Sequence, residues 1–183
     1  MSRKGNATYV QYGYGQVEPN HLSAQRTAQI YAQLPAASSL DLLENGQFLK
    51  YDYANGVADV NGAGEWMLVY NEVKIYRDRE TDADFAMIKE NYDARVYNAL
   101  GELMPEGTKM VPRLFKTNIG DIFTTNCVKE TELAVNNTLV VGDDGYLTLE
   151  ANAGDNAGNM KWQVVKVYTL ADGQPAVKLM RIA

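Results

Sequence analysis

The chain holds one histidine and one cysteine, and these are the first places to look for chemistry. His21 lies in a Gly-, Tyr- and Gln-rich stretch. A nucleophilic triad needs its base, nucleophile and orienting acid on a rigid frame, and that stretch has too few apolar residues to build one. Cys127 follows an expected strand end with no histidine near it in sequence, so it reads as a buried thiol, not a nucleophile. No residue is assigned as catalytic. The run Asp78-Arg79-Glu80-Thr81-Asp82-Ala83-Asp84 places carboxylates at alternate positions, as a calcium loop does. An EF-hand loop needs Gly where Ala83 stands and a bidentate Glu where Lys89 stands. The run therefore reads as a solvated acidic turn, and no metal ligands are assigned. Gly142-Asp143-Asp144-Gly145 and Asp155-Asn156 are turn chemistry. Two carboxylates across a groove would make a glycosidase, but no spacing here singles out a pair. Gly13 and Gly15 neither follow a strand nor open a helix, so they are no dinucleotide fingerprint, and no cofactor is implied. Trp66 and Trp162 would stack on sugars if exposed. Both lie inside apolar strands, where core packing is expected.

The strands that would position these residues centre on the run from Glu65 to Arg77. Read at a period of two, one face carries Met67, Val69, Val73 and Ile75, and the other Trp66, Leu68 and Tyr70. Its first half is apolar on both faces, so both should be covered. Further short strands are expected over 47–53, 108–115, 120–125, 138–141, 146–150, 161–170 and 176–182, with Val165 and Val167 in the core. Asn55-Gly56, Asp143-Asp144-Gly145 and Asp172-Gly173 mark turns between them. Asp82 can cap a short helix in which Phe85, Ile88 and Tyr92 share a face. The loop 152–159 is Asn-, Ala- and Gly-rich and expected at the surface. Many short strands with Gly/Asp turns predict a mainly β chain: a small β-barrel or β-sandwich with an extended N-terminal arm and a short helical insertion.

The 183 residues divide into an arm, 1–41, and a β-rich globular domain, 42–183. Apolar residues at 46% suffice for a core. A net charge of -6 argues against nucleic acid as a partner, since phosphate binding needs a basic surface. No basic amphipathic helix suggests a membrane surface. A single cysteine excludes an internal disulfide and fits a reducing cytoplasm. The basic residues at the N-terminus lack a following apolar run, so no signal peptide is expected.

The arm carries Tyr9, Tyr12 and Tyr14 around Gly13 and Gly15. Further on, Tyr31 lies near helical spacing with Ala24, Ala28 and Leu34, and residues 35–39 read as a linker. Tyrosine gives a large contact area at low entropic cost. Tyr9, Tyr12, Tyr14 and Tyr31 are accordingly the candidate partner-binding residues.

Asn45-Gly46-Gln47-Phe48-Leu49-Lys50-Tyr51-Asp52-Tyr53 and Gly64-Glu65-Trp66-Met67-Leu68-Val69-Tyr70-Asn71-Glu72-Val73-Lys74 resemble small virion proteins of tailed bacteriophages. Gly120-Asp121-Ile122-Phe123-Thr124-Thr125-Asn126 and Asp172-Gly173-Gln174-Pro175-Ala176-Val177-Lys178 add to that resemblance, which covers residues 42–182 in layout. It implies a capsid auxiliary protein, also called decoration or cement protein: a non-enzymatic structural protein on the outer capsid surface, made in the host cytoplasm. The partners it implies are the major capsid protein or other virion proteins, with self-association possible and no nucleic acid or membrane. The alternatives are another virion component (neck, tail or head-fibre anchor) or a carbohydrate-binding module.

Overall fold

The longest strands form near the C-terminus, where β-prone residues run on both sides of a Gly turn. A computed structural model describes residues 34–71, 86–89, 110–158, 160–170 and 173–183, and the chain is mainly β. In order, the strands are β1 (Leu42–Glu44), β2 (Phe48–Asp52), β3 (Val57–Asp59), β4 (Met67–Val69), β5 (Ala86–Ile88), β6 (Leu114–Phe115), β7 (Ile122–Thr125), β8 (Thr138–Val141), β9 (Leu147–Leu149), β10 (Lys161–Thr169) and β11 (Pro175–Arg181). They make a five-stranded sheet, β7-β11-β10-β8-β9, a four-stranded sheet, β3-β2-β4-β6, and a two-stranded sheet, β1-β5. All pairings between these strands are antiparallel. None of the three sheets closes on itself, so the barrel alternative fails.

The expected helical insertion is not seen among the described residues. Its described part, Ala86–Ile88, is a strand that pairs with Leu42–Glu44. Tertiary pairing with a partner more than forty residues away overrides the local helical spacing. Asp82, Phe85 and Tyr92 lie outside the described residues, as do Val73, Ile75 and the acidic run 78–84.

Two cores hold the sheets together. The first gathers Phe48, Trp66 and Leu68 from the side of the four-stranded sheet with Phe123, Leu139, Trp162, Val164, Val177 and Leu179 from the five-stranded sheet. Phe123 and Trp162 meet edge-to-face at 4.8 Å between ring centroids, a favourable geometry for aromatic quadrupoles. The second core gathers Leu43, Leu49, Tyr51, Met67, Val69, Met87 and Leu114. β4 thus buries both faces, one in each core, as its two-sided apolar sequence requires. It is nevertheless only three residues long.

Val165 and Val167 are not core residues. Trp162 and Val164 take the inward phase of β10. Val164 pairs with Leu179 and Lys166 with Lys178, so Val165 is the extra residue of a bulge. Val165 is half-buried, and Val167 beyond it is 41% exposed. A strict period of two cannot anticipate an inserted residue.

Two sheet edges are covered by non-strand chain. Residues 35–37, expected as a linker, instead line β3: Ala58 donates to Pro35 O at 2.8 Å and Ala37 donates to Ala58 O at 2.9 Å. Leu34, Ala36 and Leu40 pack against the second core. Residues 34–41 therefore belong with the body, not with a separable arm. At β9, Lys129 donates to Leu147 O at 3.0 Å, and Glu130 Oε1 accepts from the Leu149 amide at 2.7 Å. Such cover blunts edges that would otherwise template pairing with other chains.

Candidate functional site

Where β1 runs into β2, a tight turn brings polar side chains into the interior. Gln47 N donates to Glu44 O at 3.1 Å, which closes the turn. Gly46 at its apex has φ 97°, and a Cβ there would stand 2.6 Å from Thr125 Oγ1 and 2.8 Å from Cys127 Cβ. Only glycine lets the turn approach the end of β7 so closely. The β8–β9 turn closes in from another side. There Gly145 has φ 79°, its carbonyl accepts from Phe48 N at 2.7 Å, and an added Cβ would meet Phe48 O at 2.1 Å. Gln47 Nε2 donates to Asp144 O at 3.0 Å across the same junction.

These contacts enclose Glu44, Cys127 and Tyr146. Glu44 and Cys127 are fully buried and Tyr146 is 4% exposed. The Cys127 Sγ lies 4.0 Å from Glu44 Oε2, and the Tyr146 hydroxyl hydrogen-bonds the Glu44 carboxylate. Burial first, then the neighbouring Cys127 and Glu44, push the Tyr146 phenol far above its ordinary value. A carboxylate beside a thiol has the composition of a base and a nucleophile. Here, however, both groups are fully buried among the described residues. The arrangement is a structural polar junction that ties β1, the end of β7 and the β8–β9 turn together. The sequence reading of Cys127 as a buried thiol holds. Glu44, Gln47 and Tyr146 were not singled out from sequence. Glu44 and Cys127 are 83 positions apart, and nothing local to either signals the other.

The outer face of the five-stranded sheet has a different character. Side chains alternate across the sheet, so Phe123, Val177 and Leu179 face the first core while Ile122, Thr124, Lys178 and Met180 face away. Lys166 is paired directly with Lys178. Its Nζ lies 4.9 Å over the Tyr168 ring, and the Tyr168 and Thr124 hydroxyls hydrogen-bond at 2.9 Å. Ile122, Met180, Tyr168 and Lys178 are half-buried and Lys166 is exposed, while Thr124 and Ala176, opposite Lys178 and Tyr168, are fully buried beneath them. Among the described residues neither lysine has a carboxylate partner, whereas Lys89, Lys116, Lys129 and Lys161 each do.

Trp66 and Trp162 are 6% and 0% exposed, so neither offers a face to a sugar. No group of metal-ligating side chains is gathered among the described residues. No described helix is long and apolar enough to cross a membrane. Tyr9, Tyr12, Tyr14, Tyr31 and His21 lie outside the described residues. No protein-family model, curated protein or solved structure matches the chain.

Proposed function

We propose that this chain is a structural protein of a tailed-phage virion that binds the outside of the capsid shell, without catalytic activity. The body is read as a β-sandwich, because the five- and four-stranded sheets share the first core. The observation that carries the functional reading is where the chemically capable side chains lie. Cys127, Glu44, Tyr146, Trp66 and Trp162 are all walled into the interior, while two sheet edges are covered by chain. Such a body presents surface, not a reaction centre. The resemblance of residues 42–182 to capsid auxiliary proteins supplies the class of surface it meets. On this reading Tyr9, Tyr12, Tyr14 and Tyr31 anchor the N-terminal segment on neighbouring chains, and many copies turn modest single-site affinity into firm attachment.

The test is cryo-electron microscopy of intact particles encoded by the genome that carries this chain. The expected result is density for the body at many equivalent positions on the outer shell. Density confined to the neck or tail would move the protein to the alternative virion role. Absence from the particles would overturn the proposal.

A further inference from the structure

We propose that the outer face of the five-stranded sheet docks a second copy of this chain, with Lys166 and Lys178 set against the turn that carries Asp143 and Asp155. Like charges directly opposite one another on paired strands repel, and nothing among the described residues neutralises this pair. In a chain of net charge -6, an uncompensated pair of lysines is a local exception. Around it lie Tyr168, Ile122 and Met180, a mixture of aromatic and apolar area with a cationic centre. That composition suits a protein surface, and the acidity of the whole molecule disfavours a polyanionic nucleic acid.

The complement is present on the same molecule. Asp144 is paired with Lys129 at 2.6 Å and Glu150 with Lys161 at 2.6 Å. Asp143 and Asp155 are exposed and have no ion pair among the described residues. Asn156 Nδ2 donates to Asp143 Oδ1 at 2.9 Å and so holds the two acids on one small patch. This patch cannot reach its own molecule's lysines. β8 pairs with the first residues of β10, Val140 opposite Lys161, and the acidic turn follows Val141 off that end. Lys166 and Tyr168 lie toward the other end of β10. The contact is therefore made between copies, one copy's acidic turn on another copy's lysine face. It does not depend on the capsid reading.

Sedimentation equilibrium on the full chain tests this. At about 10 mM salt, where screening is weak, the mean mass should rise with concentration above the 20.3 kDa monomer, and about 500 mM salt should abolish the rise. K166E/K178E and D143K/D155K should each remain monomeric. Mixing the two reversed variants should restore association, with the two variants present in equal numbers in the assemblies. K166Q/K178Q, which removes the charge without reversing it, should weaken association at least tenfold with no fall in the melting temperature. A wild-type mass fixed at 20.3 kDa at every concentration would sink the proposal. So would association that survives K166E/K178E, or salt-sensitive retention of wild-type protein on double-stranded DNA.

Discussion

Met67 and Leu68 are consecutive residues that face different cores. Met67 pairs with Leu49 in the second core, and Leu68 pairs with Phe48 in the first. The backbone of β4 is thus the wall between two packed interiors.

The first prediction follows from that wall. M67A and L68A should each cost about 2 to 5 kcal/mol, the range for emptying a large buried side chain. The two side chains empty into different cores and couple only through the β4 backbone and Val60, which packs against both, so the double variant should depart from the sum by no more than about 1 kcal/mol. Denaturant unfolding of the three variants checks this. A larger coupling would show that the cores are one.

The polar junction gives a second prediction. Y146F removes a donor from the buried Glu44 carboxylate, and E44A removes the acceptor that both Tyr146 and Cys127 use. Leaving a buried polar group unsatisfied costs about 1 to 3 kcal/mol. C127A should cost less, since only a weak donor is lost. The ranking E44A above Y146F above C127A in destabilisation is the outcome to measure.

The third prediction concerns alkaline pH. Burial, with Tyr53 adding to it, pushes the Tyr51 phenol from 10.0 to about 12. Tyr146 is pushed up further still. The folded state therefore favours the protonated phenols. Their contribution is fully present below pH 10 and is lost as pH rises, for Tyr51 between pH 10 and about 12. Absorbance at the tyrosinate band should show these two groups lagging free tyrosine, and Y51F should flatten the fall in stability across that window.

Glycine substitutions separate strain from collision. Gly56 has φ 65° and open space around a would-be Cβ, so G56A should cost about 1 to 2 kcal/mol from left-handed backbone alone. G145A adds a backbone collision with Phe48 O. Its cost should be clearly larger in the same thermal-unfolding series.

The last prediction is that K178E stabilises the isolated monomer. It turns the Lys166–Lys178 repulsion into an attraction worth about 0.2 to 1 kcal/mol. The melting temperature should rise by about 1 to 4 °C. A fall would mean that the lysine stem at 178 packs in a way a shorter side chain cannot replace.

The sequence by itself determined that this chain is mainly β and where most of its strands lie. Apolar alternation and the Gly/Asp turns are local signals, so β2, β7, β8, β9, β10 and β11 stand close to where the pattern puts them. The two-sided burial of β4 was equally legible, because apolar residues on both faces of a strand leave no face for water. Only the tertiary structure decided the rest. The strand at Ala86–Ile88 exists because Leu42–Glu44 pairs with it, and helical spacing could not reveal a distant partner. The docking of residues 35–37 on β3 likewise depends on an edge that local sequence does not show. The bulge at Val165 shifts the phase of β10, so that Lys166 stands against Lys178 and Val167 against Val177, yet Val167 stays 41% exposed. Glu44 meets Cys127 and Tyr146 only because Gly46 and Gly145 let three separate turns converge. Strand propensity is written in neighbouring residues, whereas register, edge cover and buried polar contacts are properties of chain segments that meet only after folding.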